Sequence, residues 1–241
     1  MVNKLKEQLI KEYKYKTELH AHTSPASPCS EIPPEELVKT YHAKGFDAIV
    51  LANHFYAQLT EDCTKEEALD RYLADYEATK KAAESLGLSV ILATELRFTE
   101  NNNDYLIYGV DRDVLSVCYD YFDKGLETFR REVELSKSVF IQAHPFRNGM
   151  TECDASLLDG IETFNMHPGH NSRIGLAVRY AAENNLKITT AGSDFHHPDR
   201  GHEAVSALRT KVLPKDSFHL AEILKSGDYV FEIGENAIVL P

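Results

Sequence analysis

The sequence predicts an α/β fold, a parallel sheet covered by helices and closed into a barrel, on three observations. Short apolar runs alternate with amphipathic stretches along the chain, the runs are nearly continuous in apolar residues, and no long Gly/Ser/Pro-rich linker divides them. So many strand–helix alternations favour a barrel over an open doubly wound sheet. With 241 residues, 43% of them hydrophobic, the chain suits a single domain spanning residues 1–241.

The expected strands are TELHAHT, FDAIVLANH, LSVILATEL, DYLIYGV, SVFIQAH, GIETFN and LKITTAGSDFH. Helix-like segments lie between them at 34–44, 65–86, around 124–137 and 171–184, with a further helix around 216–226. Pro33 and Pro34 pre-set a helix start, and Glu35 and Glu36 suit its positive end. The tyrosines of DRYLADYEATKK, Tyr72 and Tyr76, repeat four apart and read as core packing. No Gly-rich phosphate cradle follows the first strand, which argues against a dinucleotide fold or a P-loop.

Twenty-six Lys and Arg against 38 Asp and Glu give a formal charge of −12, a field that disfavours nucleic acid as a partner and suits cations. Neither a signal peptide nor a bilayer-length apolar run is evident, so the expectation is a soluble, cytoplasmic protein with no membrane partner. Cys29, Cys63, Cys118 and Cys153 are scattered and form no CxxC pair, the pattern of reduced thiols. Oligomeric state is not legible.

Ionisable residues gather at the C-terminal ends of the apolar runs: His20 and His22, His54, Glu95, His144, then Asp194 and His196. These ends converge on one mouth in a barrel. Asp104 differs, opening its run rather than closing it. A lone histidine after a strand is more often a hydrogen-bonded loop residue than a ligand. The pairs His20/His22 and Asp194/His196 carry more weight, because residues two apart in a strand point the same way. The set fits two or three divalent ions, and nitrogen and oxygen donors without any needed cysteine suit zinc, manganese or iron.

The motifs HAH at 20–22, NH at 53–54, TEL at 94–96, AHP at 143–145 and GSDFH at 192–196 together resemble, in order, the PHP (polymerase and histidinol phosphatase) family of metal-dependent phosphoesterases. The resemblance covers the chain to about residue 200. It implies a distorted (βα)7 TIM-like barrel with a di- or trinuclear centre at the strand ends. It also implies roles: His20 and His22 bind one metal with Asp194, Glu95 bridges to a second held also by His144, and His54 and His196 bind a third. Asp104, in DYLIYG, stands where a family histidine often does, and a carboxylate suits a hard ion there. Asn53 replaces a common aspartate. SPASPCS lacks the His or Asp that usually follows the HxH pair, with Cys29 and Glu31 nearby but out of register.

A phosphate ester needs cationic groups, and Arg147 in HPFRNG is the best placed of Arg147, Arg173 and Arg200, the last reading as a surface residue. His167, His170, His197 and His202 are candidate proton donors to a leaving group, with His167 and His202 better placed than His197. The expected activity is hydrolysis of a small phosphorylated metabolite by a metal-bound hydroxide. Amide or lactone hydrolysis on the same metals, and a metal-binding regulatory module that has lost catalysis, are the alternatives.

Overall fold

The structure, a computed structural model, describes residues 2–198, 205–234 and 237–241. In chain order these form α1 (Val2–Glu12), β1 (Tyr15–Ala21), α2 (Pro34–Ala43), β2 (Ala48–Leu51), β3 (His54–Phe55), α3 (Lys65–Glu84), β4 (Ser89–Arg97), β5 (Asp104–Tyr108), α4 (Arg112–Tyr121), α5 (Gly125–Glu132), β6 (Val139–Gln142), β7 (Gly160–Asn165), α6 (Ile174–Glu183), β8 (Ile188–Gly192), β9 (Ser206–Thr210), α7 (Ser217–Ser226), β10 (Val230–Ile233) and β11 (Ala237–Val239). Arg200 and His202 lie outside the described residues.

Local chemistry accounts for the helix starts. Pro34 opens α2 with Glu35 and Glu36 in its first turn. A capping box opens α3: the Thr64 hydroxyl accepts from the Glu67 amide, and the Glu67 carboxylate accepts from the Thr64 amide. Tyr72 on α3 is buried in the core, and its hydroxyl lies 2.8 Å from the carbonyls of both Asn53 and Ala93. The helix expected around 124–137 is α5, which stops at Glu132, while α1 and α4 have no counterpart among the expected helices.

The sheet runs β11-β10-β9-β1-β2-β4-β5-β6-β7-β8, with β3 paired to β4. It curls until the segment after β8 meets β1, through a parallel bridge between Ala21 and Phe195. Here the His22 amide donates to the Phe195 carbonyl at 3.1 Å and the Phe195 amide to the His20 carbonyl at 3.3 Å. Buried Glu18 reinforces the seam, accepting from the amides of His20 and Ser193 and from the hydroxyls of Ser193 and Tyr41. Burial raises its pKa, partly offset by the hydrogen bonds from Ser193, His20 and Tyr41.

The barrel-like fold is as expected, but the sheet is mixed rather than all parallel. The parallel order holds for β1-β2-β4 and for β6-β7-β8. It fails at β5, antiparallel to both β4 and β6, because the connection 98–103 is too short for a helical crossover. It fails again at β9, β10 and β11, which add an antiparallel extension beside β1.

Inside the curl, alternate residues of successive strands pack with α7: Ala48, Val50 and Ala52; Ile91 and Ala93; Leu106 and Tyr108; Val139 and Ile141; then Leu220 and Leu224. The outer face packs against α2 to α6. The inward rows therefore end on an apolar floor at α7. No helix among the described residues is long and apolar enough to cross a membrane.

Candidate metal centre

Followed away from the floor, the inward rows turn polar. His54 continues the row of Ala48, Val50 and Ala52, Glu95 continues Ile91 and Ala93, and Asp104 precedes Leu106 and Tyr108. The reversed direction of β5 explains Asp104, because the start of an antiparallel strand lies beside the ends of its neighbours: Asp104 pairs with Arg97, the last residue of β4.

Glu95, fully buried, is the hub. Its Oε2 lies 3.5 Å from His20 Nε2, 3.4 Å from His22 Nε2 and 2.8 Å from His54 Nδ1, while Oε1 lies 3.0 Å from His144 Nε2. Asp194 faces the same space, its Oδ1 3.6 Å from His20 Nε2, 3.4 Å from His22 Nε2 and 3.3 Å from His196 Nδ1. Asp104 Oδ2 is 3.7 Å from His144 Nε2. The structure thus brings together all eight residues expected to ligate metal. His144 and Asp194 both adopt positive φ, at 30° and 51°, a conformation that non-glycine residues hold only when their surroundings fix it.

An outer layer sets the histidine tautomers. His20 Nδ1 donates to Glu162 Oε1 at 2.9 Å, so Nε2 is the nitrogen turned toward the cluster. The Ser27 hydroxyl donates to Asn53 Oδ1 at 2.9 Å and accepts from the His54 amide, so His22 Nδ1, 3.1 Å away, donates to it and leaves Nε2 bare. His196 Nδ1 donates to the Asp194 carbonyl at 2.9 Å. Glu162 also accepts from the His144 amide and from Asn165, whose amide nitrogen lies 3.1 Å from Asp194 Oδ2. Asn53, anchored to Asp75 and Thr23, therefore orients His22 through Ser27.

The donor set fits cations. His20 Nε2, His22 Nε2, His54 Nδ1 and Glu95 Oε2 are buried with no aligned hydrogen-bond partner, a costly state unless an ion is shared among them. One ligand atom from each residue lies within 4.8 Å of the others in three overlapping groups: His20, His22 and Glu95; His54, Glu95 and Asp104; His22, His54 and His196. Protons mark the same preference. Burial opposes charge on Glu95 and Asp194, yet His54 and His20 hold Glu95 well below the usual carboxylate range, and His20 and His22 do the same for Asp194. In return His20 and His54 are pushed well above the usual imidazole value despite burial, His20 by Glu162 and Glu95, His54 by Glu95. His22 is pushed well below by burial and by the charge of His196.

Cations of the protein line the rim. Arg147 Nη2 is 3.4 Å from Asp104 Oδ2 and its Nη1 is 3.7 Å from Asp194 Oδ2, bridging the two site carboxylates. Arg97, overlooked in the sequence although it ends the Glu95 strand, grips Asp104 with two bonds of 2.7 and 2.8 Å and lies over the Tyr56 ring. Arg173 instead holds the loop of Arg147, donating to the Phe146 carbonyl and to Asn148. His167 is buried with its ring 5.6 Å from that of His196 and 4.4 Å from that of His170. His197 turns away to Glu31, 3.4 Å distant. Burial raises the Cys29 thiol, but hydrogen bonds from His196 and His54 outweigh it and bring the pKa down to about 6. Glu162, Ser27 and Asn165 were also overlooked; the only sequence signal was a glutamate inside the apolar GIETFN run. A cleft of about 850 Å³ opens beside His54, lined by Pro25, Pro28, Phe55, Leu59 and Tyr72.

The PHP domain family matches residues 18–200. Among solved structures, a two-domain protein from Bacteroides vulgatus containing a predicted PHP-like metal-dependent phosphoesterase superposes with a TM-score of 0.62 at 17% identity, covering 92% of this chain. This chain spans 65% of that protein's length. PsfC from Pseudomonas syringae superposes with a TM-score of 0.54 at 15% identity, covering 80% of each chain. No curated protein sequence matches.

Proposed function

Because the chain belongs to the PHP domain family, we propose that it is a metal-dependent phosphoesterase that hydrolyses a small phosphorylated metabolite, with two or three divalent ions held by His20, His22, His54, Glu95, Asp104, His144, Asp194 and His196. The observation that carries the reading is Glu95 buried among four imidazoles, three of which, His20, His22 and His54, turn unpartnered nitrogens toward its Oε2, with Arg147 set across Asp104 and Asp194 beside them.

Bound ions supply Lewis acidity, which activates water and offsets charge on phosphoryl oxygens. The chain's own groups do the rest. Glu162 and Ser27 lock the imidazoles with Nε2 inward. Arg147 and Arg97 offer planar guanidiniums to the non-bridging oxygens of the ester. These cations favour a phosphoryl over a neutral amide or lactone as the electrophile. His167, beside His196, is the candidate proton donor to the leaving group. The cleft next to His54 has room for the organic part of the ester.

The test is an assay of protein loaded with Mn²⁺, Zn²⁺ or Fe²⁺ against phosphomonoesters and diesters. Turnover that falls with Arg147→Ala supports the reading. Hydrolysis of amides or lactones with no phosphoesterase activity overturns it.

A further inference from the structure

We propose that the organic part of the ester is apolar and uncharged, an alkyl or aryl group, and that it is held in the cleft beside His54. The inference rests on the phosphoesterase reading and names the class of substrate which that reading leaves open.

The cleft and the cluster share a residue. His54 lines the cleft while its Nδ1 lies 2.8 Å from Glu95 Oε2, so a group seated in the cleft stands next to a phosphoryl held at the cluster. A volume of about 850 Å³ is in the range of small-molecule sites. The apolar walls come from three segments: Pro25 and Pro28 after β1, Phe55 and Leu59 from β3 onward, and Ala68 and Tyr72 on α3. Phe55 and Tyr72 are buried and meet edge to face, their centroids 5.1 Å apart, so this wall is formed before any ligand arrives.

Most polar side chains along the cleft are already spent on the protein itself. The Tyr72 hydroxyl faces the carbonyls of Asn53 and Ala93, the Thr60 hydroxyl donates to the Ala57 carbonyl at 2.9 Å, and Asp75 accepts from the Thr23 hydroxyl and the Asn53 amide. Of the described polar residues lining the cleft, Glu35 and Gln58, both exposed, are left over. A sugar or nucleoside would therefore give up hydrogen bonds to water and find few in return. An apolar group gives up none and gains by leaving water.

Charge excludes a second anionic group. The two cations of the lining are both matched, Arg71 by Asp62 at 3.0 Å and His54 by Glu95. Glu35 and Asp75 are acids, so a further phosphate or carboxylate on the substrate meets no free counter-charge in the cleft.

Calorimetric titration of metal-loaded protein with ethyl-, butyl- and hexylphosphonate, which keep the headgroup and resist hydrolysis, tests this without turnover. Kd should fall by about threefold to fourfold for each added methylene. The carboxylate-ended 6-phosphonohexanoate should bind more weakly than hexylphosphonate. Ala74→Arg, at an exposed position of α3 that lines the cleft and suits a good helix former, should flatten the chain-length series. Equal affinity along the series, 6-phosphonohexanoate bound as tightly as hexylphosphonate, or a series that survives Ala74→Arg overturns the inference and leaves the phosphoesterase reading standing. Failure of every phosphonate to bind overturns both.

Discussion

The floor and the mouth of the barrel are built from the same inward rows, yet they are held by opposite physics. On the floor, Ala48, Val50, Ile91, Leu106 and Leu220 gain stability by leaving water. At the mouth, one step along those rows, His54, Glu95 and Asp104 have left water at a cost that mutual attraction only partly offsets. Stability is thus concentrated at one end and binding capacity at the other. Changes at the two ends should separate cleanly.

Glu95→Gln should have the largest effect, because it removes the shared charge from two of the three donor groups. Metal affinity and phosphoesterase activity should fall by more than the roughly 10–100-fold that loss of an outer hydrogen-bond partner costs. Elemental analysis after dialysis would check it, and full metal retention would break the contrast from the mouth side.

Leu220→Ala on the floor should do the reverse. It should cost about 2–5 kcal/mol of unfolding free energy, as cavities in packed cores do, while bound metal per folded chain stays unchanged. Denaturant titration with a parallel metal assay reads both numbers. Loss of metal from the folded variant would show that floor and mouth are coupled.

Glu162→Gln sharpens the comparison, because the residue holds His20 without needing to touch an ion. Metal affinity should drop by about 10–100-fold with the fold intact, measured by competition against a chromophoric chelator. An unchanged affinity would remove the tautomer argument.

The smallest effect is on the pH dependence of the metal-free protein. His20 and His54 have folded pKa values raised well above normal, so their stabilising contribution is fully present below about 6.5 and is lost as pH rises through the folded values. Glu95 and Asp194 are lowered, so theirs is present above about 4.3 and is lost as pH falls. His22 is lowered, so its contribution is present above about 6.5 and is lost as pH falls below it, and melting temperature without metal should therefore peak near that value. Added Zn²⁺ should reduce the alkaline loss, since the cation replaces the protons. A melting temperature that climbs through neutrality without metal would contradict this.

The contrast also accounts for what the sequence could disclose. Period-two alternation at strand ends made His20, His22, His54, Glu95, Asp194 and His196 legible one strand at a time. Strand direction was not legible, because an apolar run such as DYLIYGV reads alike in either orientation. Asp104 at the head of that run was the visible trace of its reversal. Strands β9, β10 and β11 escaped notice because they are short, five, four and three residues long. Glu162 acts on a partner far away in the chain, 142 residues from His20, so only the fold reveals it.

The central claim is that the mouth exists to hold divalent ions. The most direct measurement is anomalous diffraction from crystals of zinc-loaded protein. The account predicts at least two anomalous peaks at roughly 2.0–2.2 Å from nitrogen and oxygen donors, among them His20 Nε2, His22 Nε2 and the carboxylates of Glu95 and Asp194. Loaded crystals with no peak at Glu95, or with zinc only at surface carboxylates, would contradict it.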